Sequence, residues 1–405
     1  MKYKWIPALL LVLLLASCST VPEHNSQPLI PELTEAAEET LPPQTEPSIS
    51  PAEQLLGTMS LREKVGQLFI IRPDALELSI PFAALDNSRE SGVTSLSSEM
   101  IKTLEAYPVG GFIHFQINIL NPDQILSFNQ ELTQACRIPP FLAVDEEGGL
   151  VARLANDPSF SLPKFSSAAD VGSQGAFAAQ DMGSTIGSYL RDYGFNMDFA
   201  PVADVNTNPG NRVIGSRAFS SDPLEAALCS RSMADGLRME GILPVFKHFP
   251  GHGDTREDSH QRIAVSNKTH QELETCEWIP FQQAEDRECI MIGHIALPEV
   301  TGDWVPATFS APIVTGILRE ELNYQGLIVT DSLSMGAVIQ NYSSGDAALK
   351  ALGAGCQILL MPASLTEAFD AVVNAVESGT FPEESLNGIV LKILAAKIDY
   401  HIITE

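Results

Sequence analysis

The chain has 405 residues, with 51 Asp and Glu against 24 Lys and Arg and a formal net charge of −27. So acidic a surface disfavours nucleic acid and anionic membrane surfaces as partners. It leaves a small substrate open, because the charge of a pocket is set locally.

Residues 1–18 read as an export signal. Lys2 and Lys4 give a positive start, and Ile6 to Ala16 is an apolar run, broken by Pro7, that is short for a membrane span. It ends Leu15-Ala16-Ser17-Cys18, which resembles a bacterial lipobox. That resemblance implies acylation of Cys18 and a lipoprotein held on the extracytoplasmic face of a cell membrane. In a Gram-negative cell it would be the outer membrane, since Ser19 rather than Asp follows the Cys. A plain cleaved signal is the other reading, and either exports the chain. Residues 19–52 are rich in Pro, Glu, Ser and Thr and have too few large apolar residues to fold, so they read as a disordered tether.

Residues 53–405 carry no second Pro- or Ser-rich linker and read as one folded domain, expected to be monomeric. Eight apolar runs punctuate it: 67–71, 110–115, 141–146, 197–204, 243–248, 289–295, 326–331 and 357–361. Each is short and partly β-branched or aromatic, as a strand buried on both faces should be. Helical spacing of apolar residues lies between most of them, clearest over 221–240 and 363–379. Eight alternating units predict an α/β fold, a parallel (β/α)8 TIM barrel. Apart from Cys18 there are five cysteines, at 136, 229, 276, 289 and 356. They lack CxxC or Cys/His zinc spacing and read as mostly free thiols, with one disulfide, Cys276–Cys289, left open.

Polar groups gather at the ends of these runs: His114, Asp145-Glu146-Glu147, Asp204, Lys247-His248, His294 and Asp331. Singly, each is as well explained by a helix cap or a satisfied buried group. In a barrel all these ends meet at one face, where active sites of the fold lie. The stretch Lys247 to His260, KHFPGHGDTREDSH, is the densest. Lys247 and His248 close an apolar strand and cannot both be buried without partners. Asp258 and His260 stand two apart, so the carboxylate can reach the imidazole, fix its tautomer and aim its other nitrogen. His248, His252 and His260 lack the zinc spacing of HExxH, and Gly251-x-Gly253 lacks a third glycine and a following helix. No metal and no organic cofactor is expected.

KHFPGHG followed by Asp258-Ser259-His260 resembles the signature of family 3 glycoside hydrolases, in particular their single-domain β-N-acetylglucosaminidases. The resemblance covers nearly all of residues 53–400. It implies a barrel and a retaining mechanism through a covalent glycosyl-enzyme. By it, Asp331, in Leu327-Ile328-Val329-Thr330-Asp331, is the nucleophile and the Asp258–His260 dyad is the acid/base. Asp145, Arg153, Arg217, Lys247 and His248 become sugar-holding residues. The segment Asp145 to Arg153 departs from the family pattern at Leu150, where Arg is common. Asp204 and Asn206 are expected to shape loops. The implied substrate is a β-GlcNAc-terminated glycan, either a peptidoglycan fragment or a chitooligosaccharide. A β-glucosidase or a GlcNAc phosphorylase of the same family, or an inactive sugar-binding lipoprotein, are the alternative readings.

Overall fold

A computed structural model describes residues 49–80, 92–256 and 263–404. The leader with Cys18 and the tether up to residue 48 lie outside the described residues, as do Asp258 and His260. The first helix begins at Pro51, two residues earlier than the composition suggests. Pro51–Leu56 is a helix whose cap, Ser50, accepts from the Glu53 amide at 3.2 Å while Glu53 Oε2 accepts from the Ser50 amide at 2.7 Å. This reciprocal pair satisfies two amides that a helix start leaves open.

Eight parallel strands follow, β1 (Phe69–Ile71), β2 (Gly111–His114), β3 (Phe141–Val144), β4 (Met197–Asp198), β5 (Leu243–Phe249), β6 (Cys289–Ile292), β7 (Leu327–Thr330) and β8 (Leu359–Leu360). Each lies inside one of the apolar runs or, in β5, runs one residue past it. Neighbours in space are neighbours in sequence, and β1 pairs with both β2 and β8. The ring closes where Val329 faces Ile358 and the Thr330 amide donates to the Ile358 carbonyl at 3.0 Å. The sheet is therefore a closed barrel with no open edge to protect. Beyond β4 the chain stays extended along β5: the Ala203 amide donates to the Lys247 carbonyl at 2.7 Å.

Helices pack outside the ring, among them α1 (Pro122–Ala135), α2 (Ala176–Asp192), α3 (Pro223–Met239), α4 (Leu365–Glu377) and α5 (Glu383–Asp399). Their starts are written locally. Asn121 and Asp222 cap α1 and α3, and each is followed by Pro at the first helical position. Helices α2 and α3 approach closely at glycines: a Cβ on Gly183 would stand 2.1 Å from the Met233 carbonyl oxygen. The β5–β6 connection differs. Its described residues hold only short elements, the helix His270–Glu274, the 3-10 turn Phe281–Gln283 and a two-residue strand, Ala264–Val265, paired with Ile295–Ala296. All five described cysteines are free thiols, so the Cys276–Cys289 bridge is not formed. Cys289 lies inside β6, paired with Leu327 and Val245, where burial pushes its thiol well up.

Candidate active site

The end of β3 shows how strand alternation builds the mouth. Successive side chains point to opposite faces. Asp145 and Glu147 point into the barrel mouth, while Glu146 points away. Glu146 is buried and accepts from the Leu154 and Ala155 amides, both at 2.9 Å, and from the Tyr189 hydroxyl at 2.8 Å. It thus pins the hairpin of residues 146–152, which follows the strand, against α2.

In the mouth an ion-pair chain runs across three strands. Lys247 at the end of β5 donates to Asp145 Oδ1 at 2.7 Å and pairs with Glu147 Oε1 at 2.6 Å. Glu147 takes a bidentate fork from Arg217, with Nε and Nη2 both at 2.7 Å. Arg153 stands 3.6 Å from the other oxygen of Asp145 and lies over the Phe115 ring. Lys247 and Glu147 keep only 3% of their side-chain surface exposed, so neither charge is stable there alone. Burial works to raise the Glu147 carboxyl, but Arg217 and Lys247 outweigh it and hold the group far below its usual range. Burial likewise works to lower Arg217 and Lys247, and the carboxylates overcome it and raise both.

A second cluster sits on Asp204, which is fully buried. It accepts from the His252 amide at 2.6 Å and from His248 Nδ1 at 2.7 Å. Burial works to raise this carboxyl, but the charge and hydrogen bond of His248 hold it low. An Nδ1–H held by Asp204 fixes the orientation of the His248 ring. The peptides Lys247–His248 and Phe249–Pro250 are cis. Gly253 is pressed onto the chain beyond Asp204, where a Cβ would stand 1.7 Å from the Val205 carbonyl oxygen. Asp331 follows β7 directly. Its amide donates to the Ile292 carbonyl at 2.9 Å, and its Oδ1 accepts from the Ser332 amide at 2.7 Å. Its charge is felt by His252, whose pKa burial lowers, aided by His248, and which Asp204 and Asp331 work to raise. His294, two residues beyond β6, is tied to the Ser332 carbonyl at 2.9 Å and to Thr308 Oγ1 at 2.8 Å, bracing the turn that holds Asp331.

Five expected residues, Asp145, Arg153, Arg217, Lys247 and His248, come from β3, β5 and the loops beyond β3 and β4, and the first four share one ion-pair chain. Asp331 stands two strands from Lys247 at the same end of the barrel. His114 is a correction. It faces outward from β2 into the layer between barrel and helices, its ring edge-on to Phe128 and Phe195 at 5.3 and 5.6 Å. Burial pushes it down to about 4, and the mouth residue on this strand is its neighbour Phe115. Glu147 and Asp204 were grouped at this face without a sugar-holding or catalytic role; the first joins two cations, and the second, expected to shape loops, also orients His248. The alternation of β3 was the available sign for Glu147, since it stands two residues beyond Asp145. Among the described residues no group of three or more His, Cys, Asp or Glu is arranged to hold a metal ion.

Chemically, three cations and two carboxylates line one side of the mouth, each already half satisfied by its neighbour. Such a surface offers donors and acceptors side by side at fixed positions, which suits a ring of vicinal hydroxyls. A further carboxylate, Asp331, approaches from the opposite strands with a backbone amide already on one oxygen.

Residues 60–396 match the glycosyl hydrolase family 3 N terminal domain. The chain is 32% identical over 335 residues to beta-hexosaminidase A of Pseudoalteromonas piscicida, a match covering 76% of this chain and 56% of that protein. It is 33% identical over 287 residues to a beta-hexosaminidase of Xylella fastidiosa, covering 69% of this chain and 84% of the relative. A solved family 3 β-N-acetylglucosaminidase from a Paenibacillus species matches with a TM-score of 0.77 at 33% identity, over 86% of this chain and 64% of that one. The chain thus spans less than two thirds of the first and third of these proteins.

Proposed function

The chain belongs to glycoside hydrolase family 3, and on that premise we propose that it is a retaining exo-β-N-acetylglucosaminidase. The observation that carries the reading is the placement of Asp331 at the end of β7, at the same barrel face as the Arg153–Asp145–Lys247–Glu147–Arg217 chain. A terminal sugar held by that chain has its anomeric carbon within reach of one ionised carboxylate. Asp331 attacks that carbon from the face opposite the leaving group. As the glycosidic C–O bond breaks, His260 gives its proton to the departing oxygen. Water then attacks the same carbon while neutral His260 takes its proton, and Asp331 leaves as carboxylate. An imidazole's ordinary pKa of about 6.5 allows both roles near neutral pH, with Asp258 holding its tautomer.

The substrate class is a β-GlcNAc-terminated glycan, a peptidoglycan fragment or a chitooligosaccharide. The relatives named beta-hexosaminidase support that class. The Leu15–Cys18 pattern supports an exported chain anchored to lipid through acylated Cys18. Stereochemistry tests the mechanism. Proton NMR of a short incubation with a β-N-acetylglucosaminide shows β-GlcNAc as the first-formed anomer; α-GlcNAc first would overturn retention. Added phosphate leaves the rate and products unchanged, and formation of GlcNAc 1-phosphate would make the enzyme a phosphorylase.

A further inference from the structure

The segment that carries Asp258 and His260 has both its ends fastened to the barrel. On the leading side, Asn208 donates from Nδ2 to the carbonyls of Asp254 at 3.3 Å and Thr255 at 3.1 Å. Asn211 does the same to the His252 carbonyl at 2.7 Å, and the Thr255 hydroxyl donates to that carbonyl at 2.9 Å. On the trailing side, Ala264–Val265 pairs with Ile295–Ala296 just past β6, and the Ser266 amide donates to the Ala296 carbonyl at 3.1 Å. Lys268 donates to Thr207 Oγ1 at 3.3 Å and pairs with Glu277, a buried carboxylate packed beneath Gly251. The leading end thus rests on the chain beyond β4, and the trailing end on the chain beyond β6.

One side-chain contact joins the two ends directly. Ser266 Oγ donates to Asp254 Oδ2 at 2.9 Å. Ser266 is buried, 1% exposed, and among the described residues the other oxygen of Asp254 has no partner. The hydroxyl is therefore the side-chain donor that holds this carboxylate in place. Neither residue belongs to the ion-pair chain or to the Asp204 cluster.

We infer that Asp254 and Ser266 are positioning residues for the acid/base step: their hydrogen bond fixes the separation of the two anchored ends that flank Asp258 and His260 in the sequence. The inference rests on the reading of Asp258–His260 as the acid/base dyad. General acid catalysis is sensitive to such placement, because the donor must lie within hydrogen-bond reach of the leaving oxygen. A misplacement of about 1 Å costs up to about a hundredfold in rate.

The test is the leaving-group dependence of kcat/KM in the full chain. Methyl β-N-acetylglucosaminide needs a proton on its departing oxygen, whereas the 2,4-dinitrophenyl glycoside departs without one. Ser266→Ala lowers kcat/KM on the methyl glycoside about tenfold or more, within the range of misplaced acid catalysis, and far less on the dinitrophenyl glycoside. Ser266→Thr, which keeps the hydroxyl, restores the methyl rate. Equal losses on both substrates, or none on either, would overturn the inference; a thermal melt of each variant separates misfolding from misplacement. His260→Ala keeps the inference distinct from the reading beneath it. If His260→Ala discriminates between the leaving groups and Ser266→Ala does not, the clasp does no positioning and the dyad stands. If His260→Ala does not discriminate, the dyad itself falls and the clasp with it.

Discussion

Glu147 sets the electrostatics of the mouth. It is the carboxylate that Arg217 and Lys247 share, and its burial leaves both cations dependent on it. Glu147→Gln keeps the shape and removes the charge. Breaking a buried pair from one side costs about 3–5 kcal/mol, so the urea midpoint falls. Catalysis falls too, with kcat/KM dropping at least about tenfold, because Lys247 and Arg217 relax from the positions that hold substrate. The pH dependence has a definite sign. A carboxyl held below its usual range contributes stability above that range and loses it as pH falls through the lowered folded value. The acid limb of the stability profile is therefore flatter in Glu147→Gln than in the wild type. An unchanged acid limb would show that the fork is not formed in solution. Positions at the mouth were legible in the sequence where a motif is contiguous, as at Lys247-His248. They were illegible where they depend on which face of a strand points inward: for that one reason His114 was grouped with the mouth, and Glu147 was not told apart from Glu146.

At the scale of elements, the eight apolar runs located the eight strands because barrel strands are buried on both faces and are mostly apolar, with polar residues gathered near their ends. The two shortest, Met197–Asp198 and Leu359–Leu360, sit in longer runs because buried residues adjoin them, 199–204 after the first and Gln357 and Ile358 before the second. The start at Pro51 was obscured by tether-like composition, although the Ser50–Glu53 capping pair was readable. What no apolar pattern announces is the α2–α3 crossing. Gly183 and Gly236 let the two helices touch backbone to backbone, and a Cβ on Gly236 would stand 2.3 Å from the Gln180 carbonyl oxygen. Gly183→Ala must push the helices apart, at a cost of about 1–3 kcal/mol for an overpacked contact. A urea titration checks this. Because Glu146 ties the β3 hairpin to Tyr189 of α2, the same variant also loses activity per folded molecule; full activity would show that the displacement stops short of the site.

At the scale of the whole molecule, helix α5 staples itself to the segments that lead into β1 and β2. Lys397 on α5 is fully buried at the closed end of the barrel, donating to Gln67 Oε1 at 2.7 Å and to the Gly110 carbonyl at 2.9 Å. Burial pushes its amine down to about 7. An unfolded chain keeps that proton up to the ordinary lysine range, so between these limits the unfolded state binds more protons and stability rises with pH. The penalty is complete below the folded value. Lys397→Met therefore flattens the rise in urea midpoint above about pH 7, whereas a rise that persists in the variant would place its origin elsewhere. The barrel closes on its own strands and core within residues 49–404, so catalysis is expected of that part without residues 1–48. The most direct measurement of the account is then hydrolysis of nitrophenyl β-N-acetylglucosaminide by residues 49–405, wild type beside Asp331→Asn. The account predicts release by the wild type and near-complete loss in the variant, with both equally folded by circular dichroism. Equal release by both would contradict Asp331 as nucleophile and the mechanism built on it.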